Sequence, residues 1–194
     1  MRHELSIAGP AFRLRPVADA DADFILALRG NPALNRFLHS TSARLSDQLD
    51  WLARYYERSG DYYFVVERLA TSAPEGVISI YDIDPQASSG EWGRWLLRPG
   101  SLAAVESAWL IYRCAFEQLS LQEVYCRTVA DNSQVVSFHD SCGITRRHRL
   151  AGHFDFDGRQ VDAVEHRLDA LAWREVAPRL EKLAGLAARR LHHG

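Results

Sequence analysis

Two spacings of apolar residues recur along this chain, and each spacing predicts a different element. Runs that are β-branched or aromatic, or that alternate with polar residues, predict strands, whereas apolar residues three or four positions apart predict helices. The predicted strands cover residues 12–15, 62–68, 77–81, 92–97, 123–128, 145–150 and 161–168. The predicted helices begin at Asp19, Ser46, Leu102, Ser133 and Ala170. This order predicts an α/β chain with a mixed sheet rather than a regular βαβ repeat.

Turn-forming residues support these boundaries. Gly30 and Gly60 end the first two predicted helices, and Gly143 follows the short fourth helix as a left-handed stop. Asp157-Gly158 separates the last two strands and is a hairpin turn dipeptide. Pro178 falls inside the last predicted helix, where a kink is the expected consequence.

Composition narrows the possible functions mainly by exclusion. The 194 residues, 47% of them apolar, fit one domain with a sizeable core. The 23 basic and 25 acidic residues give a formal charge of −2, which does not favour a nucleic-acid partner. Apolar runs are shorter than the roughly 18 residues of a membrane span, and Arg2, His3 and Glu4 interrupt any signal-peptide core. Three cysteines favour reduced thiols, and His and Cys lack metal-ligand spacing. We therefore expect a cytoplasmic protein without a metal or a membrane partner.

The segment from Gly90 to Ile144 carries the most specific pattern. It runs strand, glycine-containing turn, long apolar helix, strand, Asn132, short helix and glycine. This segment resembles the central part of the GNAT acyl-CoA N-acetyltransferases, and the order of the predicted elements is similar over nearly the whole chain. The resemblance implies a GNAT-like mixed, mostly antiparallel central sheet flanked by helices. It assigns residues 1–170 to an acetyltransferase domain and 171–194 to an added C-terminal helical extension of that domain.

The resemblance implies acetyl-CoA as co-substrate, bound at the turn before the long helix. A helix N-terminus offers unpaired N–H groups and a partial positive charge, which suit a pyrophosphate. The family motif Q/R-x-x-G-x-G/A finds Ala104 at its last position here, but Leu102 replaces its first glycine. On its own, this segment is equally typical of an ordinary strand-to-helix turn. Asn132 would contact the cofactor arm, serve as an N-cap, or do both. The implied cofactor-binding residues are Trp95, Leu96, Leu97, Ser101, Leu102, Ala103, Ala104, Val105 and Asn132.

An acid and a base are implied by the same resemblance. Many GNAT enzymes protonate the departing CoA thiolate with a Tyr seven residues after the Asn, and that position holds His139 here. An imidazolium can donate near neutral pH, so His139 is the predicted acid; water as the acid and a solvated helix residue are the alternatives. Glu91, on the strand before the turn, is the predicted base for the amine, with Asp82 and Asp84 nearby. Its alternative is a surface residue at a strand end.

A pattern of residues in the N-terminal third of the chain indicates which molecule accepts the acetyl group. The spacing of Arg29, Asn31, Arg36 and Trp51 resembles the W/L-R-N-x-x…V-R-x-x-M…H-x-x-W-L pattern of amino-sugar nucleotide N-acetyltransferases of pseudaminic-acid and surface-polysaccharide pathways, with Gln48 near the place of the usual His. The resemblance implies direct acetylation of a primary amine on a small molecule, a nucleotide-linked amino sugar. Arg29, Asn31 and Arg36 are the implied substrate-binding residues, since guanidinium suits a diphosphate. A helix-end charge and a solvated loop are the alternative roles for the two arginines.

Two other functions remain open at this point. Ribosomal-protein N-terminal acetyltransferases share much of this layout, so a protein N-terminus is the alternative acceptor. The departures at Leu102 and His139 favour a third reading, a GNAT-like binding module without catalysis. A homodimer is compatible with each of these functions.

Overall fold

The computed structural model describes residues 2–39 and 41–192. The strands are β1 (Ile7–Ala8), β2 (Phe12–Pro16), β3 (Tyr62–Arg68), β4 (Pro74–Asp84), β5 (Ser89–Leu97), β6 (Glu123–Val129), β7 (Arg147–Phe156) and β8 (Arg159–Asp169). The helices are α1 (Ala22–Arg29), α2 (Leu45–Tyr56), α3 (Ala104–Arg113), α4 (Ser133–Ser141) and α5 (Ala170–His192). Short 3₁₀ turns cover Asp19–Asp21 and Asn35–Phe37, and α3 runs on into a π-helical turn, Cys114–Gln118.

The strands form one mixed sheet in the order β1-β2-β3-β4-β5-β6-β8-β7. Neighbouring strands are antiparallel, except that β5 and β6 run parallel. A parallel pair needs a crossover connection, and α3 supplies it. The expected mixed, mostly antiparallel sheet with flanking helices is therefore confirmed.

Strands β5 and β6 separate soon after they begin. Their parallel pairing covers Ser89, Gly90 and Glu91 opposite residues 123–125. Beyond that point a register shift against β4 inserts an extra residue into β5, and Arg94 there has a φ of 48°. Such a bulge bends and twists its strand, which turns the C-terminal half of β5 away from β6. The sheet is thus open between the two strands.

Each face of the sheet has its own apolar core. On one face α3 and α5 pack over Trp92, which is 1% exposed, and over buried residues of β2, β3 and β4. On the other face α1 and α2 cover Tyr63, Val65 and Val77. Alternate strand residues serve the two faces, so Glu91 and Trp92 point to opposite sides.

Glu106 fixes the start of α3 to the N-terminal strands. Its buried Oε1 accepts hydrogen bonds from the backbone N–H groups of Ala11 and Phe12, at 2.8 and 2.7 Å. A Cβ at Gly9 would lie 2.5 Å from the same oxygen, so a glycine is needed for this close approach. The helix that begins at the predicted cofactor turn is therefore anchored on β2.

The predicted elements are present, with one additional strand and a later start of α3. Strand β1 was not predicted, because two residues are too few to show a periodicity. Helix α3 begins at Ala104 rather than Leu102, since the turn keeps Leu102 outside the helix with 41% of its side chain exposed. The C-terminal helix continues the α3 core, with Trp173 stacked on Phe116 at 5.5 Å between ring centroids. No helix in the described part of the chain combines the length and apolar character that crossing a bilayer requires.

Candidate active site

A cleft opens where β5 and β6 separate. Its volume is about 310 Å³, and it passes between the two strands so that residues from both faces of the sheet line it. From the α3 face come Trp92, Trp95, Cys126 and His139, and from the α1–α2 face come Tyr81, Arg94 and Arg127. The loop after α1 and the β7–β8 hairpin close its mouth, where His39 stacks on Phe156 at 4.6 Å.

The predicted cofactor turn lies at one end of this opening. Gly100 has a φ of 80°, a conformation that favours glycine, and Ser101 Oγ accepts from the backbone N–H of Ala103 at 3.2 Å. Ala104 and Val105 are the first residues of α3, so their N–H groups belong to the unpaired donors of a helix N-terminus. Leu102 points toward solvent rather than into the helix.

The strand before this turn has one free edge toward the cleft. Leu96 and Leu97 pair with Val77 and Gly76 of β4, while the β6 side of β5 beyond Glu91 faces the opening. Buried backbone amides need partners, so an amide-containing chain suits that edge. Trp95 lies beside it with its ring fixed by a 3.1 Å hydrogen bond from Nε1 to Ser107 Oγ. These features fit an acyl-CoA molecule.

Asn132 lines the cleft and also caps α4. Its Oδ1 accepts from the backbone N–H of Val135 at 3.4 Å, a long hydrogen bond. The structure thus shows the N-cap role and leaves the amide group close to the space that the cofactor arm would occupy.

His139 lies on the α3 face of the cleft and is 2% exposed. Its Nε2 is 3.6 Å from Cys126 Sγ, its ring is 5.3 Å from that of Trp92, and its Nδ1 has no hydrogen-bond partner. Burial, with a smaller effect of nearby His166, lowers the pKa of His139 to about 3. The imidazole is therefore neutral at pH 7, so His139 can only donate to a thiolate as an uncharged N–H group.

Glu91 lies on the opposite face of the sheet from His139. It is 7% exposed and does not line the cleft itself. Tyr81 donates a hydrogen bond to its Oε1 at 3.1 Å, and Arg127 donates to its Oε2 at 2.9 Å. Burial raises the pKa of Glu91, with Arg127 and Tyr81 opposing the shift. The carboxylate is more basic than an exposed one, and its partners Tyr81 and Arg127 both line the cleft.

Three arginines line the cleft, and Asp and Glu are missing from its described lining. Arg94 forms a bidentate pair with Asp61 at 2.6 and 3.0 Å, and Arg127 pairs with Glu91 and Glu165. Arg29 differs, since within the described residues its guanidinium makes only weak contacts, to Thr41 Oγ1 at 3.3 Å and to the backbone oxygen of His39 at 3.4 Å.

Arg29 also borders two adjoining cavities, of about 260 and 240 Å³. Arg36 lies apart, on a cavity of about 260 Å³ that it shares with Asp131 and Arg159. The Asn31 side chain accepts from the backbone N–H of Ala33 at 2.9 Å and closes the turn after α1. The predicted substrate residues are therefore spread apart, and Arg29 is the one of the three that lines the cleft.

The sequence did not predict that three further residues line the cleft: Tyr81, Arg94 and Arg127. The local signal at each was only a polar or aromatic residue in a strand, which is common. Their grouping depends on the β4–β5 register, which sets Tyr81 directly opposite Glu91, and on the bulge at Arg94. Neither feature can be read from one strand alone.

Within the described residues, no three His, Cys, Asp or Glu side chains are grouped as a metal site would need.

Comparison with known proteins identifies the fold and the family. Residues 12–145 match the acetyltransferase (GNAT) domain family. The apo structure of FdhC, described as a nucleotide-linked sugar GNAT, is similar with 25% identity, a TM-score of 0.77, and coverage of 94% of this chain and 99% of that one. A GCN5-related N-acetyltransferase from Brucella melitensis has 19% identity, a TM-score of 0.80, and coverage of 93% and 86%.

A mutant spermidine N-acetyltransferase from Vibrio cholerae has 20% identity, a TM-score of 0.71, and coverage of 84% and 95%. The search of curated proteins found no match. The family match covers well over half of the chain, and the mixed sheet with flanking helices agrees with it. The chain therefore belongs to the GNAT family and is an N-acetyltransferase.

Proposed function

We propose that this enzyme transfers the acetyl group of acetyl-CoA directly to the primary amine of an anionic small molecule, a nucleotide-linked amino sugar. The observation that supports this proposal most directly is the environment of Arg29. Its half-buried guanidinium has no carboxylate partner among the described residues, and it borders three cavities. A cation that is partly withdrawn from water and has no counter-ion suits a charge that arrives with the substrate.

The cofactor half of the proposal rests on the geometry between β5 and β6. The free edge of β5 suits the amides of a pantetheine arm, and the first turn of α3 suits a pyrophosphate. The aromatic wall of Trp92 and Trp95 excludes water from the thioester end. Direct transfer agrees with the buried Cys126, because burial raises the pKa of its thiol far above the usual range and keeps it from acting as a nucleophile.

The charge of the cleft bears on the acceptor. A polyamine carries several positive charges and would need carboxylates around it, whereas the described lining has arginines. Arg94 and Arg127 are paired with carboxylates, so Arg29 is the charge that disfavours a cationic acceptor. It also lowers the pKa of an ammonium group in the cleft, which promotes the neutral amine that attacks a thioester. FdhC, described as a nucleotide-linked sugar GNAT, lends the nucleotide sugar additional support.

Thiol release from acetyl-CoA tests the proposal with a panel of acceptors: nucleotide-linked amino sugars, spermidine, and peptides with free N-termini. We expect turnover with a nucleotide-linked amino sugar. Arg29→Ala should raise its KM about tenfold or more, since a charge-assisted hydrogen bond contributes roughly 1.5–3 kcal/mol. The KM for acetyl-CoA should be unchanged, because that diphosphate would bind at α3.

Arg36→Ala, measured beside it, shows whether the second arginine contributes to the same diphosphate. Arg54→Ala is the matched control, since Arg54 is an exposed arginine of α2 outside the cavities described. If only the peptides are acetylated, the enzyme is a protein N-terminal acetyltransferase. Acetyl-CoA binding without turnover of any amine would favour a binding module.

A further inference from the structure

We propose that Tyr81 takes the proton from the acceptor's ammonium group and passes its own hydroxyl proton to Glu91. This inference rests on the proposed function and adds a residue to it. Glu91 is the base predicted from the sequence, but it does not line the cleft. Two cleft-lining residues donate to Glu91, Tyr81 to Oε1 at 3.1 Å and Arg127 to Oε2 at 2.9 Å. An arginine keeps its proton, so the Tyr81 hydroxyl is the group that can pass one to the carboxylate.

The surroundings of Tyr81 hold its hydroxyl in place. A Cβ at Gly93 would lie 2.6 Å from Tyr81 Oη, so this strand position has to be a glycine for the hydroxyl to lie over β5. The Arg94 guanidinium stacks 4.3 Å from the centre of the Tyr81 ring and is itself fixed by its bidentate pair with Asp61. Ring, hydroxyl and carboxylate are thus positioned before any substrate arrives.

Tyr81 and Glu91 differ in the protonation state that each can keep. Burial, with the Glu91 charge, raises the pKa of Tyr81 far above its usual value, so a lasting phenolate is unfavourable. Burial raises the pKa of Glu91 as well, which makes its carboxylate a better proton acceptor. Tyr81 therefore serves as a relay, with its hydroxyl gaining one proton as it loses another, and Glu91 is where the proton rests.

The step balances as follows. One proton moves from the ammonium nitrogen to Tyr81 Oη while the Tyr81 proton moves to Glu91 Oε1. The neutral amine then attacks the thioester carbonyl, so that an N–C bond forms and the C–S bond breaks with its electron pair on sulfur. The sulfur takes up a second proton, which the nitrogen loses. Glu91 returns its proton to solvent through Tyr81 once the products have left.

Two nucleophiles with acetyl-CoA test this role at pH 7. A nucleotide-linked amino sugar is largely protonated and needs the relay, whereas hydroxylamine is neutral and does not. Tyr81→Phe should lower kcat with the sugar by about 10²-fold, within the range for general base catalysis. The rate with hydroxylamine and the affinity for acetyl-CoA should stay at wild-type values. Glu91→Gln should behave alike, and the double variant should lose no more, since the two residues act as one unit.

Tyr56→Phe is the matched control. Tyr56 also donates to a carboxylate, Asp19 Oδ1 at 2.7 Å, but outside the cleft, so kcat with both nucleophiles should be unchanged. Equal losses of Tyr81→Phe with the two nucleophiles would indicate a structural role and overturn the proposal. A loss in Glu91→Gln alone would overturn it as well, because Glu91 would then act without the tyrosine. If the wild-type enzyme acetylates no amine, the proposed function fails, and this role fails with it.

Discussion

On the α3 face of the sheet the cleft meets aromatic rings and an uncharged imidazole, whereas on the α1–α2 face it meets arginines. His139 has one ring nitrogen without a partner, and its neighbours are Trp92 and Cys126. On the other face, Arg94 and Arg127 are each held by buried carboxylates. The carboxylates that hold these arginines are buried, as are Trp92 and His139 on the α3 face, so the contrast lies mainly in charge.

The difference shows how one opening in a sheet can serve two unlike substrates. An apolar wall suits an acyl chain and a thioester, which carry little charge where they react. A charged wall with fixed ion pairs costs little reorganisation when a charged acceptor arrives, because its dipoles are already oriented. Arg29 is the exception on that face, since no carboxylate among the described residues holds it. In the proposed function, this exception is where the acceptor's own charge would bind.

The largest effect is expected from breaking an ion pair on the α1–α2 face, which we call the charged face; the α3 face is the apolar face. Arg94→Met should lower the free energy of unfolding by about 3 kcal/mol, because Asp61, 5% exposed, would keep Arg58 at 3.9 Å as its only cationic partner among the described residues. Chemical denaturation of wild type and variant measures this. Arg113→Met is the control, since the exposed Arg113–Glu117 pair should contribute about 0.5 kcal/mol or less.

The double variant Arg94→Met/Asp61→Leu gives a second readout. It removes both charges, so it should recover much of the loss that the single change causes. If the single change leaves stability within about 0.5 kcal/mol, the charged face is screened like an exposed surface, and the contrast between the faces disappears.

A somewhat smaller effect is expected on the apolar face, and it depends on pH. His139 has a pKa of about 3 in the folded chain and an ordinary pKa of 6.5 when unfolded. Below pH 6.5 the unfolded chain therefore binds a proton that the native state does not, and stability falls as pH falls toward 3. Between pH 7 and pH 5 this one group should cost about 2 kcal/mol of unfolding free energy.

His139→Gln isolates that contribution. Denaturation of wild type and variant at pH 7 and pH 5 gives a difference in which the titration of other groups largely cancels. The variant should lose about 2 kcal/mol less than wild type between the two pH values. Equal losses would mean that His139 takes up its proton in the native state, and an imidazolium acid on this face would become tenable again.

The contrast between the faces was only partly accessible from the sequence. Adjacent strand residues point to opposite sides, so the separation of Glu91 from Trp92 follows from the strand alone. The position of His139 does not, because it depends on how α4 packs over β5 and β6, and those contacts are distant in sequence. The strands and helices were predictable because each carries its own periodicity.

Other parts of the candidate site depend on sheet geometry that no single segment encodes. Tyr81 reaches Glu91 because of the β4–β5 register and because Gly93 leaves room for its hydroxyl. The bulge at Arg94, which opens the sheet, shows in the sequence only as an arginine in an aromatic strand. The cofactor turn remains a prediction that rests on the order of elements, since Leu102 departs from the motif.

The smallest effect concerns Asn132, where two roles predicted from the sequence overlap. Its hydrogen bond to the Val135 N–H is long, at 3.4 Å, so Asn132→Ala should lower stability by about 1 kcal/mol or less. Asn132→Ser can still cap α4 but lacks the amide group that would reach the cofactor arm. We expect Asn132→Ser to restore stability while its affinity for acetyl-CoA, measured by calorimetry, stays as low as that of Asn132→Ala. Recovery of both properties would make Asn132 a cap alone, and the contribution of α4 to the cleft would then reduce to its apolar residues and the neutral His139.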